Sequence, residues 1–117
     1  MNISSDQSIV GLSGFGAYSA AKGAINSVTR TLAAEGSAHG IRVNTIVVGR
    51  VIAHSGDTGV SVGSGHMTRL GVPNDVAYCA TWLASDEATF VTGSLVTVDG
   101  GFSVNGDAIM GIAAGEL

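Results

Sequence analysis

Short apolar runs alternate with segments of helical spacing along this chain, and that order limits the folds it can adopt. Asn2 to Ser5 fits the end of a strand, Ile41 to Val48 is a β-branched run typical of a buried strand, and Leu95 to Val98 is a third short strand. Alternating strands and helices favour a parallel sheet with crossover helices. We therefore predict a three-layer α/β fold with a parallel sheet of about three strands.

The segments between these strands predict two helices. The first runs from about Ala17 to Ala38 and carries apolar residues at intervals of four, three and four positions, namely Ala21, Ile25, Val28 and Leu32. Gly40, just beyond it, is a natural left-handed residue for a helix end. The second begins near Pro73, a favoured first helical residue. Its apolar stripe comprises Val76, Ala80 and Leu83.

The length and composition indicate a single folded domain. A chain of 117 residues that is 45% hydrophobic and 12% charged is not disordered, and it can bury a small core. We assign residues 1–117 to one domain, with residues 102–117 as a tail. The stretch from Ser55 to Gly65 has few apolar residues and is predicted to be a mobile loop.

Charge, hydropathy and cysteine content exclude several classes of function. The formal charge of -4 and the scatter of the five basic residues argue against a nucleic-acid surface. No run approaches the roughly 20 apolar residues of a membrane span, and no signal peptide is visible. The single cysteine, Cys79, fits a reducing compartment. We expect a cytoplasmic protein that binds neither nucleic acid nor membranes.

Tyr18 and Lys22 are the first candidates for chemistry. They lie four positions apart and therefore project from the same side of the first helix. An ammonium close to a phenol favours the phenolate, and such a tyrosine can take a proton from an alcohol or give one to a carbonyl. The same spacing arises often by chance, so on its own it leaves a plain structural role open.

Other conspicuous residues have more ordinary interpretations. Tyr78 and Trp82 on the second helix are interpreted as packing residues. The glycines from Gly11 to Gly16 precede a helix, but they lack the Gly-x-Gly-x-x-Gly order of a phosphate loop. We predict no metal site, because the spacing of the three histidines does not match any metal-ligand signature; they are His39, His54 and His66.

A series of short motifs occurs along the chain in a fixed order. The first are Asn2–Ser5, Tyr18–Lys22 and Gly40–Asn44, and Tyr18 follows Ser5 by thirteen positions. The later motifs are Arg69–Pro73, Leu83–Asp86, Thr92–Gly93 and Val98–Gly101. Together they resemble the C-terminal half of the Rossmann-type domain of the classical short-chain dehydrogenase/reductase (SDR) family. The resemblance extends to about Phe102 and implies a partial Rossmann-like fold.

The resemblance implies roles for three catalytic residues. Tyr18 would be the general acid/base that moves the substrate proton. Lys22 would favour the ionised form of Tyr18 and hydrogen-bond the nicotinamide ribose. Ser5 would hydrogen-bond the substrate oxygen and stabilise the charge that develops there. Ser4 is the neighbouring candidate for that role, but its spacing to Tyr18 differs by one position.

The cofactor implied by the resemblance is NAD or NADP. Its contacts in this chain would be Tyr18, Lys22, Gly49 and Val51, with the Val51 backbone reaching the carboxamide. The segment from Arg50 to Met67 would form a lid over the substrate. The glycine-rich turn that seats the pyrophosphate belongs to the first half of the family's domain, which is absent from this sequence.

Two departures from the family pattern accompany the missing half. Val48 stands where the family has proline, and Ala53 stands where it usually has threonine. Loss of the proline loosens the turn, and loss of the hydroxyl removes an expected cofactor contact.

Two functions of different class therefore stay open. The first is an NAD(P)-dependent oxidoreductase acting on a small-molecule secondary alcohol or ketone, in which the 117 residues alone are inactive and a complementing N-terminal half is needed. The second is a non-catalytic remnant that self-associates or binds a partner. In either case we expect a homo-oligomer or an assembly with the complementing half, because association would protect the open edge of a small sheet.

Overall fold

The computed structural model describes residues 1–52 and 69–104. Its strands are β1 (Asn2–Ser5), β2 (Thr45–Val48) and β3 (Leu95–Val98), and its helices are α1 (Gly16–Ser37) and α2 (Pro73–Ala84). Short 3-10 turns lie at Asp6–Ser8, Asp86–Ala88 and Phe102–Val104. The strands are parallel in the order β1-β2-β3. This architecture confirms the predicted parallel α/β fold with three strands.

Several sequence-based predictions fall on residues that the structure does not describe. They are the loop from Ser55 to Gly65, most of the proposed lid from Arg50 to Met67, the departure at Ala53 and the tail beyond Val104.

β2 is shorter at its start than the sequence predicts. Pairing begins at Thr45, four residues later than expected. The Val43 N–H donates to Thr92 Oγ1 at 3.1 Å, and Asn44 Nδ2 donates to the Val91 carbonyl at 2.8 Å. The prediction was wrong for these four residues. The Ile41 N–H donates to the Gly36 carbonyl of α1, and Val43 and Asn44 bond to the turn before β3, about which a propensity pattern contains no information.

Both faces of the sheet are covered at its central strand. Ile46 and Val47 are neighbours on β2, so their side chains point to opposite faces, and both are fully buried. α1 packs against β1 and β2, whereas α2 packs against β2 and β3. Thr45, on the same face as Val47, contacts α1, so Ile46 faces the side that α2 covers. The result is the predicted arrangement of three layers.

The face that α1 turns toward the sheet is largely polar. Asn26, Thr29 and Ala33 are its buried residues. The Thr29 hydroxyl lies 2.6 Å from the Thr45 hydroxyl on β2, and it accepts a hydrogen bond from Asn2 Nδ2 on β1 at 2.9 Å. Hydrogen bonds of Thr29 therefore join this helix to two strands, whereas Asn26 Oδ1 is buried without a partner among the described residues.

The apolar stripe of α1 lies away from the sheet. Val28 and Leu32 remain 44% and 41% exposed. The spacing of the apolar residues correctly predicts a helix, but it does not identify the face that packs on β1 and β2. The helix therefore carries an apolar surface that the described part of this chain does not cover.

α2 packs as its apolar pattern predicts. Leu83 is buried, and Val76 and Ala80 are half-buried. The Arg42 guanidinium holds the end of this helix by donating to three backbone carbonyl oxygens, those of Leu83 at 2.9 Å and of Ser85 and Val91 at 3.3 Å. One cation thereby satisfies carbonyls that a helix end leaves without partners.

The two aromatic residues of α2 do not pack as predicted. Tyr78 is 70% exposed and Trp82 is 40% exposed. The interpretation as packing residues was wrong within the described part of the chain, because the residues of α2 that turn inward are Val76, Ala80 and Leu83. Within the described residues, neither helix is long and apolar enough to cross a membrane.

The first turn of α2 is held by a carboxylate. Asp75 Oδ2 accepts a hydrogen bond from the Val72 N–H at 2.8 Å. The two carboxylate oxygens also accept from both terminal nitrogens of Arg69, at 2.7 and 2.9 Å. The Arg69 hydrogen bonds, followed by the Val72 N–H, lower the pKa of Asp75 to about 2.

We predict that NMR titration of the Asp75 carboxyl group gives a midpoint of about 2 in the folded chain. This pKa lies below the ordinary value of 3.8. The ionised Asp75 carboxylate therefore stabilises the folded chain fully at pH values above 3.8, and this stabilisation is lost as the pH falls toward the pKa of the folded state. Arg69→Gln should raise the titration midpoint of Asp75, because it removes the guanidinium that bonds to the carboxylate. The control Arg30→Gln changes an exposed arginine of α1 and should leave the midpoint unchanged. An unshifted midpoint in Arg69→Gln would contradict this account.

Candidate active site

The carboxyl ends of the three parallel strands meet at one edge of the sheet, where a cavity of about 380 Å³ opens. Ser5 ends β1, and Gly49 follows β2. Both line the cavity, together with Tyr18 from the first turn of α1 and Val51 beyond β2. The fold thus brings four of the five predicted site residues to one cavity. These residues lie far apart in the sequence, and the ends of parallel strands are a common place for binding sites in open α/β sheets.

Ser5 is held by residues of the following turn. Its hydroxyl donates to Asp6 Oδ1 at 3.0 Å and accepts from the Gln7 N–H at 3.3 Å. Asp6 is almost completely buried, at 6% exposure. The Ser5 proton is therefore directed at a carboxylate in this structure. To donate to a substrate oxygen, the hydroxyl must rotate away from Asp6.

Ser4 is turned away from the cavity. Adjacent residues of a strand face opposite sides of the sheet, and the Ser4 hydroxyl donates to the Lys22 carbonyl of α1 at 3.0 Å. Ser4 also contacts the Ser8 hydroxyl at 3.2 Å. Of the two candidate serines, Ser5 is the one that lines the cavity.

Tyr18 and Lys22 are adjacent on α1, as their spacing predicts. Tyr18 lines the cavity and is 45% exposed. The Lys22 ammonium lies 5.7 Å from the centre of the Tyr18 ring. It donates to the Ile3 carbonyl oxygen on β1 at 3.3 Å and does not line the cavity. In this structure the ammonium therefore contacts the edge of β1, beside the tyrosine that it would assist.

Gly49 lies against the segment that follows β3. A Cβ at this position would be 2.5 Å from Asp99 Cβ and 2.6 Å from Asp99 Cα, closer than real atoms approach. The Gly49 N–H donates to the Val98 carbonyl at 3.0 Å. The absence of a side chain at Gly49 is therefore what allows the ends of β2 and β3 to meet beside the cavity.

Val51 forms an isolated parallel bridge with Gly71. The Gly71 N–H donates to the Arg50 carbonyl at 3.0 Å, and the Ile52 N–H donates to the Gly71 carbonyl at 2.9 Å. In such a bridge the N–H and C=O of Val51 itself point to the other side. The N–H and C=O of Val51 therefore take no part in the bridge with Gly71.

Asp99 organises the turn after β3. Its two carboxylate oxygens accept from the Gly101 N–H at 2.8 Å and from the Ser103 N–H at 2.9 Å. Burial alone would raise the pKa of Asp99, but the hydrogen bonds from Ser103 and Gly101 lower that pKa overall. Gly100 and Gly101 have positive φ angles of 64° and 84°, as predicted for these glycines. The turn places Phe102 in the cavity wall.

The sequence analysis missed three residues that shape the cavity. Asp6, Arg50 and Phe102 all line it, although no role for Asp6 or Phe102 was predicted and Arg50 was assigned only to the lid. Each directly follows a strand or its turn, and that position was a usable signal. No cluster of possible metal ligands occurs among the described residues, where His39 is exposed at the end of α1. His54 and His66 lie outside the described residues.

Comparison with known proteins covers nearly the whole chain. Residues 1–103 match the family model described as enoyl-(acyl carrier protein) reductase. Over 115 residues, the chain is 37% identical to 2-(S)-hydroxypropyl-CoM dehydrogenase 3 of Xanthobacter autotrophicus, covering 88% of this chain and 45% of that protein. It is also 37% identical over 115 residues to inactive 2-(S)-hydroxypropyl-CoM dehydrogenase 2 of the same organism, covering 88% and 50%.

Solved structures give the same result. A short-chain type dehydrogenase/reductase from Mycobacterium ulcerans matches with a TM-score of 0.82 and 31% identity, covering 92% of this chain and 44% of that one. The chain belongs to the short-chain dehydrogenase/reductase family. Another match in this family is 4-hydroxyisoleucine dehydrogenase complexed with NADH, with a TM-score of 0.79 and 31% identity, covering 88% of this chain and 45% of that one.

Family membership confirms the resemblance noted from the motifs. This SDR chain spans about half the length or less of the relatives that it matches. The fold and the family are therefore established for the matched residues, whereas the activity of a whole SDR enzyme is a separate matter.

Proposed function

We propose that this chain is the catalytic half of an NAD(P)-dependent oxidoreductase that transfers a hydride between nicotinamide and a secondary alcohol or ketone. The observation that carries the proposal is the position of Ser5 and Tyr18 in one cavity, beside Gly49 and Val51, at the carboxyl edge of the sheet. Dehydrogenase names among the relatives and an NADH complex among the structural matches support it.

The residues of the cavity suit proton transfer at an alcohol. Tyr18 takes the hydroxyl proton during oxidation and returns it to the carbonyl oxygen during reduction. The Lys22 ammonium lies 5.7 Å from the centre of the Tyr18 ring, next to this proton-transfer group. Ser5 orients the substrate oxygen once its proton turns from Asp6. When bound, the nicotinamide supplies the hydride acceptor or donor at the carbinol carbon.

The residues present fit the nicotinamide end of NAD or NADP. The side of Val51 that faces away from its bridge offers a backbone donor and acceptor for a carboxamide. Tyr18 offers a hydroxyl for the ribose, and Lys22 would offer its ammonium after leaving the Ile3 carbonyl oxygen. The glycines that precede α1 do not provide a phosphate-binding turn. They lie between Ser5 and Tyr18 in the chain and lack the Gly-x-Gly-x-x-Gly order.

A non-catalytic role is the second candidate function. One close relative is named as inactive, and Val48 replaces the family's proline. The exposed stripe of α1 and the exposed Tyr78 and Trp82 of α2 offer apolar surface for self-association or for a partner. Under this proposal the chain is a homo-oligomer or pairs with an N-terminal half through the free edge of β1. The lone Cys79 supports a cytoplasmic setting.

Calorimetry with NADH and NADPH tests the enzyme proposal directly. We predict no binding at micromolar concentrations and negligible turnover for the 117-residue chain alone. The pyrophosphate and adenosine contacts lie in the half that the relatives have in addition, and about 1.4 kcal/mol of lost binding energy corresponds to a tenfold loss of affinity. Micromolar binding by the chain alone would contradict this prediction.

The complementary experiment assembles a complete enzyme. We propose to join this chain to the N-terminal half of 2-(S)-hydroxypropyl-CoM dehydrogenase 3, which supplies the part of the relative that this chain does not match. NADH binding and oxidation of a secondary alcohol by the assembled enzyme would support the catalytic role. An assembled enzyme that binds NADH but turns over no alcohol would favour the non-catalytic remnant.

A further inference from the structure

Arg50 occupies a distinct place in the wall of the cavity. It follows Gly49 after β2 and lines the cavity together with Ser5 and Tyr18. Its guanidinium lies 5.3 Å from the centre of the Phe102 ring. Stacking on an aromatic ring holds the plane of a guanidinium while its N–H donors remain at the edge. Arg50 is thus positioned to present hydrogen-bond donors and a positive charge to a ligand.

Two of the other arginines have structural partners, whereas Arg30 is exposed on α1. Arg42 donates to backbone carbonyl oxygens at the end of α2. Arg69 forms the only ion pair within the described residues, with Asp75. Among the described residues, the contact found for the Arg50 guanidinium is the ring of Phe102.

Hydrogen-bond acceptors line the same cavity next to Ser5. Asp6 is buried and carries a carboxylate. Gln7 Oε1 is buried and has no hydrogen-bond partner among the described residues. A buried acceptor without a donor is uncommon in folded proteins, and Gln7 lines the cavity. The cavity therefore combines acceptors beside the catalytic serine with a cationic donor supported by Phe102.

We infer that the substrate is a small hydroxy acid or the corresponding oxo acid, with its carboxylate bound by Arg50. The inference rests on the proposed oxidoreductase function. A guanidinium can hold a carboxylate through two parallel hydrogen bonds. Apolar side chains complete the wall, among them Val10, Leu12 and Leu70.

The proposed ligand matches the distribution of polar groups. Its carboxylate lies at Arg50, and its reacting hydroxyl lies between Ser5 and Tyr18. During oxidation the carbinol C–H bond breaks with transfer of a hydride to oxidised nicotinamide, and the O–H proton passes to Tyr18. The carboxylate is unchanged by the reaction. The cavity volume of about 380 Å³ is within the range of small-molecule sites.

NMR titration of the 117-residue chain tests the inference without cofactor. The probes are 3-hydroxybutyrate and 1,3-butanediol, which share a carbon skeleton and differ in the carboxylate. We expect 3-hydroxybutyrate to shift the backbone amides of Ser5, Gly49 and Phe102, with an affinity at least tenfold higher than that of the diol. Arg50→Gln should lower the affinity for 3-hydroxybutyrate about tenfold and leave the diol unchanged. Arg50→Lys should retain part of the affinity, because lysine keeps the positive charge but lacks the paired N–H donors of a guanidinium.

Controls separate this inference from the fold and from the proposed function. Arg30→Gln removes an exposed arginine of α1 and should leave both affinities unchanged. Equal thermal unfolding midpoints would show that the Arg50 variants remain folded. Equal binding of the two probes, or unchanged carboxylate binding in Arg50→Gln, would overturn the inference. A loss of turnover in the assembled enzyme with intact carboxylate selectivity would instead count against the oxidoreductase proposal alone.

Discussion

Tyr18→Phe is expected to lower kcat of the assembled enzyme by about 10²–10⁴-fold, the usual contribution of a positioned general acid/base. The substitution removes only the hydroxyl, and the ring keeps its place in the cavity wall. NADH affinity should change little, because most cofactor contacts lie elsewhere. The measurement is steady-state alcohol oxidation across a range of pH, together with calorimetric titration of NADH.

Tyr78→Phe provides a matched control for this prediction. It makes the same chemical change at the other tyrosine of the chain, which is 70% exposed on α2 and does not line the cavity. Its kcat should equal that of the unmodified enzyme. If the two variants lost activity equally, or if Tyr18→Phe retained full activity, Tyr18 could not be the group that moves the proton.

The order of elements was the most predictable part of the fold. Leu95–Val98 and Pro73–Ala84 are local patterns, a β-branched strand and a helix that begins with proline, and both appear in the structure as predicted. The start of β2 was missed because Val43 and Asn44 bond to the turn before β3. That turn is about fifty positions away in the sequence, so no local pattern contains the information.

The packing face of α1 shows a second limit of sequence patterns. The apolar stripe suggests one face, yet Asn26 and Thr29 are buried while Val28 and Leu32 are exposed. A hydroxyl or amide can be buried when a partner such as Thr45 satisfies it. The apolar stripe of this helix then remains for contacts outside the described chain. Hydrophobic spacing identified the helix but could not identify what each face contacts.

Part of the cavity lining could be predicted from the sequence, whereas the contacts of its residues could not. Motif spacing placed Ser5 and Tyr18 on separate elements, and the topology brings both to one cavity. The spacing gave no indication that Ser5 donates to Asp6 or that Lys22 donates to Ile3. Those hydrogen bonds depend on side-chain directions at the free edge of β1 and in the turn after it, which are set by the three-dimensional arrangement.

Gly49→Ala is expected to destabilise the folded chain by about 1–3 kcal/mol, the range typical of overpacking. The added Cβ would lie 2.5 Å from Asp99 Cβ and 2.6 Å from Asp99 Cα. The Asp99 backbone cannot yield as a flexible side chain could, so the ends of β2 and β3 must separate. The measurement is the free energy of unfolding from urea denaturation, followed by circular dichroism.

Gly23→Ala makes the same substitution in a setting that predicts the opposite sign. Gly23 lies within α1, and a Cβ there would meet nothing within 4 Å. Alanine is favoured over glycine inside a helix by roughly 0.5–1 kcal/mol, so this variant should be slightly stabilised. Comparable stability of the two variants would mean that the contact between Gly49 and Asp99 is not tight in solution. A loss of folding stability confined to Gly49→Ala would show that the ends of β2 and β3 must approach closely beside the cavity, where Arg50 contacts Phe102.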